Sequence, residues 1–437
     1  MDVAVCRGAL KGAEVRVPPS KSVSHRLLIA AALADGVSVV RNVADNADIR
    51  ATIGCLEALG ASFSISPCAE GALDVSVRGI GGRVSGSGLS AGSDPGLICD
   101  AGESGSTLRF LLPLFCLFSG KCVFRTSGRL SQRPMDVYEQ LFSLTRGRDS
   151  ERDIIVASGT LKSGAYRVPG NISSQFITGL LFVLPLLGEQ STIAVEAPFE
   201  SASYVNLTLE ALSRAGIEVR REGDVFTVPG GQAYKPFTAT VPPDASQAAF
   251  FAVLAGLGRV PVTVAGFDPD SVQGDSVIAA LCEQSGMEVV PLAGGCRFSV
   301  PGSVRLRGIK ASLADCPDLG PALFAFASAL EGPSVFTDCS RLRLKESDRI
   351  AAMAAELGRT GCATEENTGT VVIRPAAVPA KPERFDSHND HRVTMALAVL
   401  AACFDEPTVI SGAESVGKSF PGFFEELRKL GAEVKEV

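Results

Sequence analysis

The chain has 437 residues, 46% of them hydrophobic, and a formal net charge of −7. This length exceeds one ordinary hydrophobic core and predicts two or three domains, whereas the negative charge argues against a general nucleic-acid-binding protein. The longest apolar runs, residues 110–118 and 180–187, are far shorter than the roughly 20 residues that cross a bilayer. No secretory signal is visible and no C-x-x-C pair occurs among the cysteines, so we expect reduced thiols, a cytoplasmic location and no membrane contact.

Six segments in chain order predict the same elements: a short strand, a loop rich in Ser, Asp and Gly, a helix that is apolar on nearly all sides, and a second strand. They are residues 17–40, 99–124, 168–195, 241–264, 316–336 and 389–410. The matching loop positions are 84, 69, 71, 73 and 73 residues apart, near one sixth of the chain: Lys21, Gly105, Ser174, Ala245, Asp318 and His391.

A second, amphipathic helix follows each apolar one and often ends in a Leu-Gly-Ala-like sequence, as in residues 423–432. Helices that are hydrophobic all round belong in an interior, whereas amphipathic helices keep a polar side in solvent. The repeats therefore predict an α/β fold in which sheets wrap buried helices. Six units divide sensibly into two groups of three, with the division near residues 232–236; spacing leaves open which group holds the first strand.

Residues 412–419, GAESVGKS, match the nucleotide-binding pattern G-x-x-x-x-G-K-[ST] and follow a strand-like segment. In a nucleotide-binding loop the Lys and Ser begin a continuous helix, but Pro421 and Gly422 follow here. We therefore predict that the helix starts at Pro421 with Ser419 near its cap, and that this is not an ATP site. Lys418 still lies where a strand passes into a helix, a position that suits an anion.

Basic residues collect near the predicted helix starts. Ser, Asp and Gly in these loops are explained equally well as helix caps. Capping does not explain Lys21, Arg26, Arg392 and Lys418, because a cation at a helix N-terminus opposes the helix dipole. Four such residues indicate that a bound anion offsets them.

Seven ordered motifs resemble those of the 5-enolpyruvylshikimate-3-phosphate (EPSP) synthase family: PPSKSVSHR, AGESGSTLRFL, GRLSQRPM, ISSQFITGLL, LRLKESDRI, NDHRVTMALAV and GKSFPGFF. The resemblance spans almost the full chain. It implies a two-domain inverse α/β barrel in which each domain is built of three βαβαββ repeats around buried helices. It implies one domain of residues 20–235 and another of 1–19 plus 236–437, joined by crossovers near 19–20 and 232–240.

The resemblance also implies the reaction. The carboxyvinyl group of phosphoenolpyruvate passes to the 5-hydroxyl of shikimate 3-phosphate with release of phosphate, by addition and elimination through a tetrahedral intermediate on the route to aromatic amino acids. It implies two small-molecule substrates, no cofactor, no metal, no nucleic-acid partner and a monomer. Addition to the enol needs a base for the hydroxyl and an acid for the methylene carbon, which suits paired carboxylates among cations.

Site roles are carried over from the family motifs. The catalytic residues implied are Asp318, Glu346 and Lys21. The shikimate 3-phosphate contacts implied are Lys21, Ser22, Arg26, Ser173, Ser174, Gln175, Ser201, Asp318 and Lys345. The phosphoenolpyruvate contacts implied are Lys21, Gly105, Arg133, Gln175, Arg349, Arg392 and Lys418. Without the resemblance, Asp318 and Glu346 are explained as a helix cap and a dipole partner.

Three features depart from the family pattern. Glu103 and Arg341 each stand where Asn is frequent, and residues 141–160 interrupt the repeat pattern, so we expect a remodelled loop there.

Three other functions remain open from the residues. The sister enolpyruvyl transferase acting on UDP-N-acetylglucosamine normally has Lys-Asn in place of Lys21-Ser22. A metal-dependent hydrolase could use Asp386, His388, Asp390 and His391, which are plausible ligand types. A non-catalytic anion-binding protein would keep the cations but not need Asp318 and Glu346. Since the implied ligands come from both halves of the chain, we also expect the domains to close on substrate.

Overall fold

The computed structural model describes residues 1–68, 72–81 and 97–437. The chain divides into an N-terminal unit, Pro19–Pro242, and a C-terminal unit, Met1–Pro18 with Pro243–Val437. The first crossing lies within a residue of the expected one, but the second lies seven residues after 235. Residues 236–242 belong to the N-terminal unit because strand Thr238–Thr240 pairs in parallel with Val39–Arg41 there.

Helices within the described residues begin where the sequence places polar loops. Their bounds are α1 Lys21–Leu33, α2 Ala47–Ala58, α3 Gly105–Ser119, α4 Asp136–Glu139, α5 Ser174–Val183, α6 Ala202–Arg214, α7 Ala245–Gly258, α8 Ile278–Ser285, α9 Gly320–Ala327, α10 Arg349–Gly358, α11 His391–Ala401 and α12 Phe423–Lys429. Five of the six repeat positions are the first residue of an apolar helix, and the sixth, Asp318, lies in the short 3-10 turn that leads into α9.

Strands fill the intervals between the helices. Their bounds are β1 Asp2–Cys6, β2 Ala13–Val15, β3 Val37–Ala44, β4 Ser62–Pro67, β5 Ala72–Arg78, β6 Leu97–Gly102, β7 Lys121–Thr126, β8 Ser143–Arg148, β9 Asp153–Ser158, β10 Ala165–Pro169, β11 Ser191–Glu196, β12 Arg220–Glu222, β13 Val225–Val228, β14 Thr238–Thr240, β15 Val262–Ala265, β16 Glu288–Leu292, β17 Gly295–Ser299, β18 Lys310–Ser312, β19 Ser334–Thr337, β20 Ala363–Asn367, β21 Thr370–Arg374, β22 Arg384–Asp386, β23 Thr408–Ser411 and β24 Glu433–Glu436.

These strands form four-stranded sheets, three in each unit as far as the described residues show. In the N-terminal unit the orders are β14-β3-β5-β4, β6-β7-β9-β8 and β10-β11-β13-β12, and in the C-terminal unit they are β2-β15-β17-β16, β18-β19-β21-β20 and β22-β23-β1-β24. Every sheet begins with one parallel pair and continues with two antiparallel pairs. The repeated pairing confirms the predicted repeat architecture.

The two crossings exchange equivalent strands. Strand β2 precedes α1 in the chain but pairs with β15 in the C-terminal unit, whereas β14 precedes α7 but pairs with β3 in the N-terminal unit. Each crossing lies at a Pro-Pro pair, Pro18-Pro19 and Pro242-Pro243. Proline lacks an N–H and fixes φ, so the chain leaves one sheet there without a ladder hydrogen bond to lose.

Each unit has its own hydrophobic core built on the apolar helices. In α7 every residue except Leu257 is buried, and α11 is buried over its whole length. The interior position of these helices confirms the prediction that sheets wrap them.

Two local predictions were wrong. Residues 143–158 form a regular hairpin, β8–β9, in which Asp149 caps the turn by accepting from the N–H groups of Glu151 and Arg152, so no remodelled loop is present. The last helix starts at Phe423 rather than Pro421, because residues 413–418 form a 3-10 turn that ends at Lys418.

Candidate active site

The C-terminal unit holds an ion-pair cluster centred on Asp318. Its Oδ1 accepts hydrogen bonds from Lys345 Nζ and Arg349 Nη1, both at 3.0 Å, and its Oδ2 accepts from Arg392 Nη2 at 3.0 Å. These cations lie before or at the start of helices α10 and α11. The repeat architecture thus brings together residues that are 27 to 74 positions apart in the chain.

Arg349 connects Asp318 to two further carboxylates. Its guanidinium donates to Glu346 Oε2 at 2.8 Å and to Asp390 Oδ2 at 2.8 Å, and its side chain is 1% exposed. Asp390 also caps α11 by accepting from Arg392 N–H at 2.9 Å. The carboxylates of Asp318, Glu346 and Asp390 thus face three cations, those of Lys345, Arg349 and Arg392. The attraction between the opposite charges offsets the free-energy cost of burying them.

The cluster sets the protonation of its members. Burial alone would raise the pKa of the Asp318 carboxyl, but Arg392, Lys345 and Arg349 outweigh it and hold that pKa well below its ordinary value. Burial lowers the pKa of the Lys345 ammonium to about 8, even though Asp318 acts in the opposite direction. At neutral pH the free protein therefore holds an ionised Asp318 beside a lysine that gives up its proton readily.

The last repeat adds a further contact of Arg392 and one more cation, Lys418. Arg392 Nη2 also donates to Ser246 Oγ at 2.9 Å, at the start of α7. Lys418 Nζ donates to the carbonyl oxygen of Asn389 at 2.7 Å and to its Oδ1 at 3.0 Å. The Lys418 ammonium is thus held by Asn389, the residue that precedes Asp390 of the cluster.

In the N-terminal unit, Lys21 begins α1 and forms an ion pair with Asp48 at 2.8 Å. Asp48 lies in the first turn of α2, and its carbonyl oxygen accepts from Thr107 Oγ1 on α3. The Lys21 ammonium is mostly buried, with its side chain 16% exposed. The starts of three helices thus meet around this lysine.

Arg26 is buried one turn further along α1 and is surrounded by neutral groups. Its Nε donates to Thr208 Oγ1 at 2.8 Å, its Nη1 to the Ser22 carbonyl at 2.7 Å, and its Nη2 to Thr178 Oγ1 at 3.5 Å. Its guanidinium lies 5.0 Å from the centroid of the Phe110 ring. Burial lowers the pKa of Arg26 to about 9, which marks a cation whose environment suits an incoming anion.

The two threonines that accept hydrogen bonds from Arg26 lie on helices that begin at predicted site serines. Thr178 belongs to α5, whose N-cap is Ser173 and whose first residue is the buried Ser174. Thr208 belongs to α6, which starts directly after the buried Ser201; Ser201 has a left-handed backbone with φ 58°. The serines expected to contact shikimate 3-phosphate therefore begin the helices that Arg26 contacts.

Gly105 and Arg133 are in direct contact. A Cβ added to Gly105 would lie 2.8 Å from Arg133 Nη1 and 3.1 Å from its Cζ, so a side chain here would displace the guanidinium. Gly105 thus leaves space for a cation at the first residue of α3.

Gln175 is held by two residues of α3. Its Oε1 accepts from Arg109 Nη1 at 2.8 Å and its Nε2 donates to Ser106 Oγ at 3.1 Å. Arg109 also donates to the Pro134 carbonyl at 2.8 Å, beside Arg133. Sequence reasoning missed four partners of the predicted site residues, although all four lie in or next to the quoted motifs or helix caps: Asp48 and Arg109 in the N-terminal unit, and Ser246 and Asp390 in the C-terminal unit.

Of the two unusual residues, Glu103 lies two positions before Gly105 in the chain, and Arg341 lies near Lys345. The Glu103 carboxylate lies against Gly128, since a Cβ there would be 2.8 Å from Glu103 Oε2. Arg341 is buried, and its charge contributes to the low pKa of Lys345. Both departures change the local charge rather than remove a predicted catalytic group.

Three of the four residues considered as metal ligands bind other groups. Asp390 pairs with Arg349, Asp386 Oδ1 accepts from His388 N–H at 2.7 Å, and His388 Nε2 lies 3.2 Å from Glu356 Oε1. Across the ranges that the structure describes, no group of three or more His, Cys, Asp or Glu side chains is arranged to hold a metal ion. Nor does any helix in those ranges have the length and apolarity needed to span a membrane.

Comparison with known proteins decides the family. The sequence model of EPSP synthase (3-phosphoshikimate 1-carboxyvinyltransferase) matches residues 7–427. This chain belongs to the EPSP synthase family. The 3-phosphoshikimate 1-carboxyvinyltransferase of Clostridium kluyveri is 38% identical over 427 residues, covering 97% of this chain and 96% of that protein. The protein of the same name from Clostridioides difficile is 35% identical over 432 residues, covering 97% and 96%.

Solved structures share the fold. The EPSP synthase of Acinetobacter baumannii aligns with a TM-score of 0.75 at 26% identity and covers 100% of both chains. The enolpyruvyl transferase NikO from Streptomyces tendae aligns with a TM-score of 0.73 at 14% identity, covering 99% of this chain and 98% of that one, which shows the fold alone. The family's two-domain α/β architecture, expected from the motifs, is therefore confirmed.

Proposed function

We propose that this chain transfers the carboxyvinyl group of phosphoenolpyruvate to the 5-hydroxyl of shikimate 3-phosphate and releases phosphate. Membership of the family supports this reaction. The observation that carries the assignment of roles is the ion-pair cluster, in which Asp318 and Glu346 are held by cations that two anionic substrates can share. A binding protein would have no need to hold two carboxylates at an anion site.

Asp318 is proposed as the base that takes the proton of the 5-hydroxyl. In the free protein its pKa is held low by Arg392, Lys345 and Arg349, so it is ionised but a weak base. A substrate phosphate or carboxylate that draws Lys345 or Arg392 toward itself would raise the pKa of Asp318 and strengthen the base. Binding of the correct substrate would thus activate Asp318.

Glu346 is proposed as the acid that delivers a proton to the methylene carbon of phosphoenolpyruvate. The bond from the 5-oxygen to C2 forms in this addition, and the bond from C2 to the bridging oxygen of phosphate breaks in the elimination. Lys21 is proposed to protonate that bridging oxygen as phosphate departs. Loss of a methyl proton to Glu346 then restores the carbon–carbon double bond and regenerates this acid. Asp318 has gained one proton and Lys21 has lost one, so the return of one proton from Asp318 to Lys21 through solvent restores both residues.

The remaining predicted residues are proposed as substrate contacts. The proposed contacts of shikimate 3-phosphate are Ser22, Arg26, Ser173, Ser174, Gln175, Ser201 and Lys345. The proposed contacts of phosphoenolpyruvate are Gly105, Arg133, Gln175, Arg349, Arg392 and Lys418. The buried, neutral surroundings of Arg26 support a phosphate partner, because a desolvated guanidinium gains most from a charged acceptor. Gly105 leaves space for the Arg133 guanidinium, and this supports a role for Arg133 in binding a second anion.

We further propose that the enzyme acts as a monomer in the cytoplasm, on these two small molecules and without nucleic acid or membrane. The net charge of −7 and the free thiols of the described cysteines support this proposal. Light scattering on the protein as it elutes from a size-exclusion column would test the monomeric state. The mass of one chain is expected, and a stable dimer would contradict the proposal.

The experiment that tests the reaction measures phosphate release from phosphoenolpyruvate by the purified protein, in chelator and without nucleotide. Shikimate 3-phosphate and UDP-N-acetylglucosamine are compared as acceptors. Release with shikimate 3-phosphate alone is expected. Release with UDP-N-acetylglucosamine would assign the sister reaction, and release with neither acceptor would refute the transferase.

A further inference from the structure

Helix α10 contacts the segment Asp386–Asp390 at two points. At its start, Arg349 pairs with Asp390 at 2.8 Å. Seven residues later Glu356, which is also buried, accepts from Asp386 N–H through Oε2 at 3.1 Å and lies 3.2 Å from His388 Nε2 through Oε1. Residues seven apart lie on the same helix face, so one helix holds both ends of this segment.

The segment between those two points has an uncommon backbone. His388 and Asn389 are consecutive residues with positive φ, 50° and 53°. Side-chain acceptors hold this conformation: Asp386 Oδ1 accepts from His388 N–H at 2.7 Å and Ser387 Oγ accepts from Asn389 N–H at 3.2 Å. Residues other than glycine keep such a backbone only where their surroundings fix it.

This backbone conformation orients Asn389, whose oxygen atoms accept hydrogen bonds from Lys418. Both its carbonyl oxygen and its Oδ1 accept from Lys418 Nζ, at 2.7 Å and 3.0 Å. If φ changed at His388 or Asn389, the carbonyl would turn away from the ammonium. The position of the Lys418 ammonium therefore depends on the contact between His388 Nε2 and Glu356 Oε1, which we call the tether.

We infer that Glu356 and His388 are positioning residues for Lys418, acting through the left-handed pair His388–Asn389. Because a carboxylate only accepts, His388 Nε2 donates to Glu356 Oε1, and this bond fixes the turn from outside the ion-pair cluster. Neither residue is assigned a substrate contact. The inference rests on the proposed function, in which Lys418 contacts phosphoenolpyruvate.

Three variants separate the tether from other effects. The Asn side chain in His388→Asn is too short to donate a hydrogen bond to Glu356, but Asn is a residue type that tolerates positive φ. His388→Gln keeps an N–H donor of similar reach. Arg359→Gln is the matched control, because Arg359 Nε contacts the same Glu356 carboxylate at 3.0 Å from an exposed position without contacting the turn.

Steady-state kinetics give the main readout. In His388→Asn the KM for phosphoenolpyruvate is expected to rise about tenfold or more, while the KM for shikimate 3-phosphate stays unchanged. His388→Gln and Arg359→Gln are expected to resemble the unaltered protein. An unchanged KM for phosphoenolpyruvate in His388→Asn, or an equal rise for both substrates, would overturn the inference.

A crystal structure of His388→Asn gives a second readout that needs no turnover. The bond from Lys418 Nζ to the Asn389 carbonyl is expected to be lost, and its retention would overturn the inference. Failure of the proposed function is recognised separately, as absence of phosphate release by the unaltered protein with both substrates; the crystal structure then decides the positioning role on its own.

Discussion

Replacing Arg26 by Met tests whether its buried charge exists for an anionic substrate. The side chain is buried, its hydrogen-bond acceptors in the structure are two threonine hydroxyls and one carbonyl, and burial lowers its pKa to about 9. At about 1.4 kcal/mol for each tenfold change in proton affinity, holding this charge costs the free protein on the order of 5 kcal/mol. Its hydrogen bonds and its contact with Phe110 offset a comparable amount.

The free energy of unfolding of Arg26→Met should therefore change little in the absence of ligand, because Met fills much of the volume and leaves no carboxylate unpaired. Binding of shikimate 3-phosphate should suffer strongly. Loss of one partner of a buried charge pair costs about 2 kcal/mol or more, which corresponds to a Kd raised at least about 30-fold.

Calorimetric titration with shikimate 3-phosphate and urea unfolding of the free protein measure the two quantities. Arg214→Met is the control, since Arg214 forms an exposed pair with Glu210 one turn away on α6. The reasoning is refuted if Arg26→Met binds shikimate 3-phosphate within about threefold of the unaltered protein, or if the free variant loses more than about 3 kcal/mol of stability.

Three further substitutions test other parts of the site. Asp318→Asn should lower kcat by about 100- to 10,000-fold without raising the KM for phosphoenolpyruvate, since the three cations remain; a raised KM with unchanged kcat would show a binding role only. Lys345, with a pKa of about 8, loses its proton as the pH rises through that value, so the KM for shikimate 3-phosphate should rise above about pH 8. Lys345→Arg stays charged and should flatten this dependence; a pH profile identical to that of the unaltered protein would contradict the assignment. Gly105→Ala should raise the KM for phosphoenolpyruvate severalfold with little change in melting temperature, because the added Cβ would displace only the flexible end of Arg133; unchanged kinetics would remove Arg133 from the phosphoenolpyruvate site.

The starts of five of the six apolar helices could be predicted from the sequence, because each of these five has a capping side chain in a polar loop before an apolar run. Thus Lys21, Gly105 and His391 each begin a helix, as their spacing had indicated. The hairpin at 143–158 could not be predicted in the same way. Strand Ser143–Arg148 is an edge strand that is exposed at nearly every position, so it lacks the alternation of apolar and polar residues that identifies a half-buried strand.

The candidate site was predictable in its residue types but not in its pairings. Lys21 and Asp48 come from different helices, and the pairing of a cation with one carboxylate among many depends on tertiary packing. Arg109 was missed because an arginine inside an apolar helix gives no local sign of its partner, which is Gln175 on another repeat. The residue pattern alone also hid the strand exchange, since β2 and β14 have three residues each and carry too little pattern. The family resemblance grouped residues 1–19, and so β2, with the C-terminal domain.

The most direct test of the central claim follows the bridging oxygen of phosphoenolpyruvate. With this oxygen labelled as ¹⁸O and with shikimate 3-phosphate as acceptor, the proposed elimination breaks the bond from C2 to the bridging oxygen. The account predicts that the released phosphate carries the label and that the acceptor gains the carboxyvinyl group. Unlabelled phosphate, with the label left in pyruvate, would show cleavage at phosphorus and would contradict the proposed transfer.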